Sequence, residues 1–272
     1  MIKNNYYDVN SKYNNTIALF SDIHFNVKYN YQLFLDIINN LKLNKPDYIC
    51  IPGDIIDNNN VLENITLQNR LYRFIKELSL ISKVIISIGN HEKLYNNDYR
   101  DNYNIDFFNK LNDIDNVYVL DNENKAFNNL NFIGFNPSTN YYRSRENVDI
   151  LIEDFKKLDK KIMNDKYNIL LCHSPIKIVN DKMLLNTNIK NINLILAGHM
   201  HSGLMLPILR KLKGNRGLVG PYHNFFPPLA RGIFKKEDIT LIITGGVIKL
   251  SYSTHLNKFN KIFHTDIDYI KL

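Results

Sequence analysis

The sequence lacks three features that would place it outside the cell or in a membrane. It has no run of 18 apolar residues, the length that a membrane-spanning helix needs. Its first residues are polar, so they lack the apolar stretch of a secretory signal. Only two cysteines occur, Cys50 and Cys172, and both lie in apolar stretches typical of buried strands. These absences exclude a disulfide framework and predict a cytoplasmic protein with two reduced thiols.

The chain also lacks a dense block of basic residues. Its 272 residues carry 34 Lys and Arg against 27 Asp and Glu, a net charge of +7. The longest basic cluster is the short segment Arg210-Lys211-Leu212-Lys213. A composition rich in Asn, Lys, Ile and Tyr, as AT-rich codons produce, accounts for this charge, and a nucleic-acid surface is the alternative. The net positive charge is therefore compatible with anionic partners but does not identify one.

What is present is an alternation of short apolar runs and longer amphipathic stretches, which predicts an α/β fold. The hydrophobic content of 44% is that of a globular protein. Helices are predicted over Tyr31–Leu43, Leu62–Ile81, Asn104–Leu111 and Val148–Met163. Strands are predicted over Thr16–Phe20, Tyr48–Pro52, Val84–Ile88, Val117–Leu120, Leu130–Phe135, Asn168–Cys172, Leu194–Ala197, Ile239–Thr244, Val247–Ser251 and Lys261–Ile270.

The chain shows no internal repeat and no Gly/Ser-rich linker, so a single domain over residues 1–272 is the simplest interpretation. The segment Ser202–Phe234 is rich in Gly and Pro and has no clean periodicity, which predicts an ordered loop. Its aromatic and cationic residues either contact a substrate or pack the loop on its own domain. The segment Asn136–Arg145 is either a second rim of a site or a solvated loop.

Five polar clusters follow predicted strands directly. They are Ser21-Asp22-Ile23-His24, Gly53-Asp54-Ile55-Ile56-Asp57, Gly89-Asn90-His91-Glu92, Cys172-His173-Ser174 and Gly198-His199-Met200-His201. Ligand sites of α/β sheets gather at the carboxyl ends of the strands. A lone histidine there is more often a satisfied core residue than a ligand. The conjunction of five clusters, however, predicts one shared site.

The clusters offer a donor set for a divalent metal. Two carboxylates, one amide and four imidazoles are available, from Asp22, His24, Asp54, Asn90, His173, His199 and His201. This mixture suits Mn, Fe, Co, Ni or Zn better than Ca or Mg alone. Seven ligands are too many for one tetrahedral ion and suit two ions that share a carboxylate.

The order of these clusters resembles the calcineurin-like metallophosphoesterases. The resemblance spans residues 22 to 201 and implies a four-layer α/β/β/α sandwich with a β-rich C-terminal part. It implies two divalent ions, with Mn, Fe or Zn as the expected metals. Asp22, His24 and His201 would bind the first ion, and Asn90, His173 and His199 the second. Asp54 would bridge the two.

The resemblance also implies catalytic roles. His91 would protonate or stabilise the leaving oxygen, and Asp57 would hold the His91 ring or, alternatively, act only as a helix N-terminal carboxylate. A metal-bridged hydroxide would attack phosphorus. Glu92 is either a supporting residue or part of the chemistry. The sequence does not identify the residues that bind substrate.

Departures from the family pattern narrow the branch. Asn58 follows Asp57 where protein serine/threonine phosphatases have Arg, and Asp57 stands where purple acid phosphatases have a metal-binding Tyr. The run from Gly198 to Gly203 resembles the Gly-His-Thr-His-Gly-Gly motif of a small bacterial phosphodiesterase branch, except at Met200 and Ser202. Hydrolysis of a phosphodiester, from a small molecule, nucleotide or lipid headgroup, is therefore the expected function.

Three other functions stay open. The same fold could serve as a nuclease, as a phosphomonoesterase or, with a complete ligand set arguing against it, as a non-catalytic interaction module. No membrane span and no obligate protein partner are predicted, and peripheral contact with a membrane through the segment Ser202–Phe234 is left open.

Overall fold

The computed structural model describes residues 2–29, 31–96, 98–101, 105–204, 214–221, 225–247 and 265–272. Within these ranges the helices are α1 Tyr31–Asn44, α2 Ile65–Ser79, α3 Ile105–Leu111, α4 Thr139–Arg143, α5 Val148–Lys156 and α6 Asp181–Asn186. The strands are β1 Ile2–Asp8, β2 Thr16–Leu19, β3 Tyr48–Pro52, β4 Lys83–Ser87, β5 Leu94–Tyr95, β6 Asp98–Tyr99, β7 Val117–Leu120, β8 Asn124–Phe127, β9 Leu130–Phe135, β10 Tyr167–Cys172, β11 Leu194–Ala197, β12 Gly232–Lys236, β13 Ile239–Ile243 and β14 Thr265–Lys271.

Two six-stranded sheets organise these elements. The first has the strand order β1-β14-β2-β3-β4-β7, and the second β12-β13-β11-β10-β9-β8. The central strands pair in parallel, for example β2 with β3 and β10 with β11. Such strands are buried on both faces, which is why they appear in the sequence as continuous apolar runs. A third, two-stranded sheet joins β5 and β6.

Three apolar clusters show how the sheets are layered. One cluster packs α1, α2 and α3 on the outer face of the first sheet, and another packs α4, α5 and α6 on the second. The third holds side chains of both sheets, among them Leu19, Cys50 and Leu171. It fills the space between the sheets. The predicted α/β/β/α sandwich is therefore confirmed.

The predicted elements agree with the structure except at several boundaries. The helix predicted over Leu62–Ile81 begins instead at Ile65, because the Asn64 side chain accepts hydrogen bonds from the main-chain N–H of Thr66 and Leu67. The helix predicted over Val148–Met163 ends at Lys156. Of the strand predicted over Val247–Ser251, Val247 forms a single bridge to Thr265 and residues 248–251 lie outside the described ranges. Residues 104 and 261–264, the ends of two predicted elements, also lie outside them.

One strand was not predicted, and one expectation was wrong. The polar segment Ile2–Asp8 forms β1, an edge strand that pairs in parallel with β14. Its half-exposed face carries polar side chains, so no apolar run marks it. The interpretation of Asn136–Arg145 as a solvated loop fails as well, since residues 139–143 form α4 and bury both Tyr141 and Tyr142. The predicted loop Ser202–Phe234 ends in β12, which begins at Gly232.

The two cysteines are buried and unpaired, as expected. Among the described residues, no helix has both the length and the apolar character to cross a membrane.

A pair of carboxylates lies between the sheets. Asp266 and Asp268 on β14 are each about 1% exposed, and the Asn5 side chain donates to Asp268 at 2.7 Å. Burial, followed by the charge of Asp266, raises the pKa of Asp268 to about 7 from 3.8. Since the folded pKa exceeds the unfolded value, folding favours the protonated form. This part of the stability is present at pH 4 and is lost as the pH rises through 7.

We expect Asp268→Asn to remove that loss, because the amide stays neutral and keeps an acceptor for Asn5. Denaturant unfolding should show the variant gaining on the wild type by on the order of 1–4 kcal/mol between pH 4.5 and pH 8. The exposed Asp36→Asn is the matched control and should show no such pH-dependent gain. A constant difference between Asp268→Asn and the wild type at all pH values would contradict the assignment.

Candidate metal centre

All five polar clusters meet at one edge of the sandwich. Ser21–His24 follows β2, the cluster at Asp54 follows β3, and the cluster at Asn90 follows β4, all in the first sheet. The clusters at His173 and His199 follow β10 and β11 in the second sheet. Because parallel strands end at the same edge, the two sheets bring their polar loops face to face.

The first group of donor atoms comprises Asp22, His24 and His201. Oδ1 of Asp22 lies 3.6 Å from Nε2 of His201 and 4.0 Å from Nε2 of His24. The two imidazole nitrogens are 3.3 Å apart. These three donors come from two chain segments, the loop after β2 and the loop after β11, and their ligand atoms lie within 4.8 Å of one another.

The second group comprises Asp54, His173 and His199. Nε2 of His173 lies 3.0 Å from Oδ2 of Asp54 and 3.2 Å from Nδ1 of His199. The same Oδ2 lies 3.8 Å from Nε2 of His24, in the first group. Asp54 therefore stands between the two groups.

Contacts with buried oxygen atoms orient two of the histidines of the second group. Nδ1 of His173 contacts the carbonyl oxygen of Pro52 at 2.8 Å, so this nitrogen carries a proton and Nε2 faces Asp54. Nε2 of His199 lies 3.1 Å from Oε1 of the buried Glu146, which leaves Nδ1 as the donor. Such outer partners are characteristic of metal-ligating histidines.

Asn90 supplies a further test of whether the site fits a metal. Its Nδ2 donates to the hydroxyl of Tyr99 at 3.4 Å. Its Oδ1 is buried and has no hydrogen-bond partner in the described part of the chain. A buried amide oxygen without a partner is costly. A cation of the second group would satisfy it, so the residues present fit the metal that the donor set implies.

The electrostatics of the two groups differ. Burial, then the neighbouring His91, holds the pKa of His24 well below its usual value, and burial also lowers the pKa of His201. Both rings are therefore neutral, as metal ligands must be. Burial alone would lower the pKa of His173 too, but the Asp54 carboxylate raises it to about 10. The second donor group therefore favours a positive charge next to the Asp54 carboxylate.

The backbone of the site is strained. Five of the seven predicted ligands have left-handed φ angles, between 44° and 68°, namely Asp22, His24, Asp54, His199 and His201. This conformation costs a residue other than glycine about 1 kcal/mol or more. It persists only where surrounding contacts determine it, and it is concentrated here at the candidate metal groups.

Glu92 provides such contacts. Its carboxylate is fully buried and accepts four main-chain hydrogen bonds, from the N–H groups of Asp54, Ile55, Ile56 and Gly89 at 2.7–3.2 Å. Burial and the charge of Asp54 raise the pKa of Glu92 to about 7. The side chain therefore ties the loop after β3 to the loop after β4, which answers the question that the sequence left open in favour of a supporting role.

The two loops also approach each other closely. A Cβ atom at Gly89 would overlap the Asp54 side chain, and one at Gly53 would lie 2.6 Å from Gly89 Cα. Glycine at both positions permits the approach on which the Glu92 hydrogen bonds depend.

His91 lies at the mouth of the site. Its ring is about a quarter exposed, and its Nε2 lies 3.9 Å from Oδ2 of Asp54. Its Nδ1 contacts the main-chain carbonyl oxygen of Asp57. The Asp57 carboxylate, which the sequence suggested as the holder of this ring, has Oδ1 3.7 Å from Nδ1 of His24 and Oδ2 3.4 Å from Nδ2 of Asn26. Asp57 thus reaches His91 through its carbonyl group.

Sequence reasoning missed Glu146 and Tyr99. Glu146 follows the short helix α4 with a φ of 64°, in a segment without a recognisable pattern. Tyr99 lies on β6 and lines the cleft beside Asn90. Neither residue sits in a motif, and only the folded chain shows their neighbours.

The segment Ser202–Phe234 is described only in part, and Arg210, Tyr222, His223 and Asn224 lie outside the described residues. Arg231 donates to the main-chain oxygens of Ser202 and Arg216 at 3.3 and 3.4 Å. Arg231 therefore packs this segment on its own domain. Phe225 and Phe226, in contrast, are 76% and 60% exposed.

The sequence matches a known protein family over more than half of its length. The model of the family "Calcineurin-like phosphoesterase" matches residues 16–203, which is more than half of the chain. The chain belongs to the calcineurin-like phosphoesterase family. The matched range contains all five polar clusters and ends just after His201.

Two relatives carry the family's name. A Campylobacter jejuni protein described as an uncharacterized metallophosphoesterase is 26% identical over 75% of this chain and 48% of its own length. A Caenorhabditis elegans metallophosphoesterase is 30% identical over 72% of this chain and 38% of its own length. The chain thus spans about half, or less, of the relatives that it matches. A dimetal phosphatase from Danio rerio is a similar solved structure, with a TM-score of 0.42, 14% identity, and coverage of 86% of this chain and 88% of that one.

We expect Glu92→Gln to destabilise the fold, because the amide nitrogen would face two main-chain N–H donors. The loss should be about 2–3 kcal/mol in denaturant unfolding. The exposed Glu153→Gln is the matched control and should unfold like the wild type. An unfolding free energy of Glu92→Gln equal to that of the wild type would show that the four hydrogen bonds are not needed.

We expect Glu146→Ala to weaken binding of the second metal ion by about 10- to 100-fold, because Nε2 of His199 loses its carboxylate partner. Glu146→Gln keeps an acceptor and should fall between this variant and the wild type. Calorimetric titration of metal-free protein with Mn²⁺ measures both affinities. Equal affinities of all three proteins would refute the role given to Glu146.

Proposed function

We propose that the chain is a dinuclear metal-dependent phosphoesterase that prefers phosphodiesters. The observation that carries this proposal is the placement of Asp54, whose Oδ2 belongs to one donor group and lies 3.8 Å from the His24 nitrogen of the other. Membership of the calcineurin-like phosphoesterase family supports it. Asp22, His24 and His201 would hold one ion, and Asn90, His173 and His199 the other, with Asp54 shared.

The metals expected from the donor set are Mn, Fe or Zn. When bound, the two ions supply Lewis acidity toward phosphoryl oxygens and water. In the net hydrolysis, one P–O ester bond breaks, the oxygen of water forms a new P–O bond, and the leaving oxygen takes a proton.

His91 is suited to supply that proton. Its ring lies at the mouth of the cleft, and its Nδ1 is held by the Asp57 carbonyl, so Nε2 faces the cleft beside Asp54. A histidine in its protonated form at this position would donate to the leaving oxygen as a general acid. Asp57 would act as a positioning residue for both His91 and His24.

The space around the cleft supports a diester over a monoester. The cleft has a volume of about 290 Å³, and its described lining includes His91, Tyr99, His199 and His201 but no Lys or Arg. A second cavity shares Met200, Gly220 and Pro221 with the cleft, which gives room for an ester arm beside it.

The alternatives depend on other features. A nuclease would use the net charge of +7 and the exposed aromatic rings, and its binding would weaken steeply with salt. A phosphomonoesterase would use the same donor groups on an ester with a single arm. A non-catalytic module is disfavoured because all seven predicted ligands are present.

Hydrolysis of bis-p-nitrophenyl phosphate and p-nitrophenyl phosphate by protein stripped and reloaded with Mn²⁺ tests the proposal. We expect at least about a tenfold higher kcat/KM for the diester. Asp54→Asn should lower this value by more than about 100-fold, since both donor groups lose a charge. The exposed Asp106→Asn should behave as the wild type.

Metal content measured on the same samples separates failed loading from failed chemistry. Folded, metal-loaded protein that hydrolyses neither ester would refute the proposed function. A preference for the monoester would refute its diester part.

A further inference from the structure

An apolar pocket lies beside the metal-group cleft. Its volume is about 190 Å³, and its lining includes Ile176, Met200, Pro221, Phe225, Phe226 and Leu229. Every side chain that lines it within the described ranges is apolar. Such a surface recognises hydrocarbon and excludes charged groups.

The apolar pocket is continuous with the cleft. Met200, Gly220 and Pro221 line both spaces. Met200, which stands between His199 and His201 in the chain, thus lines both spaces. A molecule whose phosphorus lies at the metal groups would therefore place one ester arm in the apolar pocket.

The two phenylalanines at its rim are held open to solvent. Phe225 is 76% exposed and Phe226 is 60% exposed. Phe226 also has a φ of 54°, in the left-handed region that bulky residues avoid. Its N–H donates to the Leu218 oxygen at 2.9 Å, and Phe225 forms a bridge with Val219, so the backbone that carries both rings is hydrogen-bonded. Exposed aromatic rings on a strained, hydrogen-bonded turn beside a cleft indicate a binding surface.

We propose that the apolar pocket binds the apolar arm of the substrate, which would be a phosphodiester with one alkyl ester group. This inference rests on the proposed function. Full ligand sites have volumes of about 300–1,000 Å³, a range that cleft and pocket reach only together. The phosphoryl group would occupy the polar cleft, and the hydrocarbon arm would cover the rings of Phe225 and Phe226.

Turnover of methyl p-nitrophenyl phosphate and hexyl p-nitrophenyl phosphate by the Mn²⁺-loaded protein measures the effect of the arm. We expect kcat/KM of the wild type to be at least about tenfold higher for the hexyl ester, because each buried methylene favours binding. Phe225→Ser should reduce this ratio to about threefold or less. Phe226→Asn removes the ring while it tolerates the left-handed backbone, and should reduce the ratio as well.

Leu43→Ser is the matched control, since Leu43 is 83% exposed near the end of α1 and far from the carboxyl ends of the strands. It should keep both the rate and the ratio of the wild type. A ratio near one in the wild type, or an unchanged ratio in both phenylalanine variants, would overturn the proposal while leaving the proposed function intact.

Calorimetric binding of hexylphosphonate and methylphosphonate separates the pocket from the chemistry. Tighter binding of hexylphosphonate that Phe225→Ser abolishes would support the pocket even if neither ester were hydrolysed, and the proposed function alone would then fail. Equal binding of the two phosphonates would count against the pocket whatever the hydrolysis shows.

Discussion

The carboxylate of Glu92, buried beneath the loops after β3 and β4, is the constraint on which the site depends. Four main-chain N–H groups of these loops point at it, and it is the acceptor that satisfies them. Without it, the loop at Asp54 would bury orphaned donors next to a second carboxylate. The raised pKa of Glu92 records the electrostatic cost of placing two acids together. A cation at the metal groups would offset that cost, so loop geometry and metal affinity are coupled.

The two-sheet architecture supplies the other half of the arrangement. Ligands from the first sheet and ligands from the second meet because both sets of parallel strands end at one edge. Neither sheet alone carries a complete donor group, since Asp54 of the first faces His173 of the second across 3.0 Å. The left-handed φ angles at Asp22, His24 and His199 bend each chain segment toward that junction. Stability stored in the cores between and outside the sheets maintains this strain.

The helices and strands that could be predicted are those that a local pattern of apolar residues marks in the sequence. Apolar runs such as Tyr48–Pro52 and Leu194–Ala197 coincide with strands because burial on both faces leaves an unbroken apolar pattern. The motif residues were identifiable because each follows such a run. Strand β1 and helix α4 were missed because distant partners decide them: β1 pairs with β14, at the other end of the sequence. The partnership of Glu146 with His199 joins residues 53 positions apart, and no local pattern encodes it.

The last polar cluster shows how chemistry and specificity are divided within one loop. His199 and His201 contribute nitrogen atoms to different donor groups, whereas the residues between and after them depart from the bacterial phosphodiesterase motif that the sequence resembles. The structure shows what each of the two differing residues, Met200 and Ser202, contacts. Met200 lines both the cleft and the apolar pocket, and Ser202 donates to Asp266 on β14 at 3.2 Å. Residues at non-ligand positions of this loop thus shape the walls of the cleft and the anchoring of the loop, while His199 and His201 supply the donor atoms.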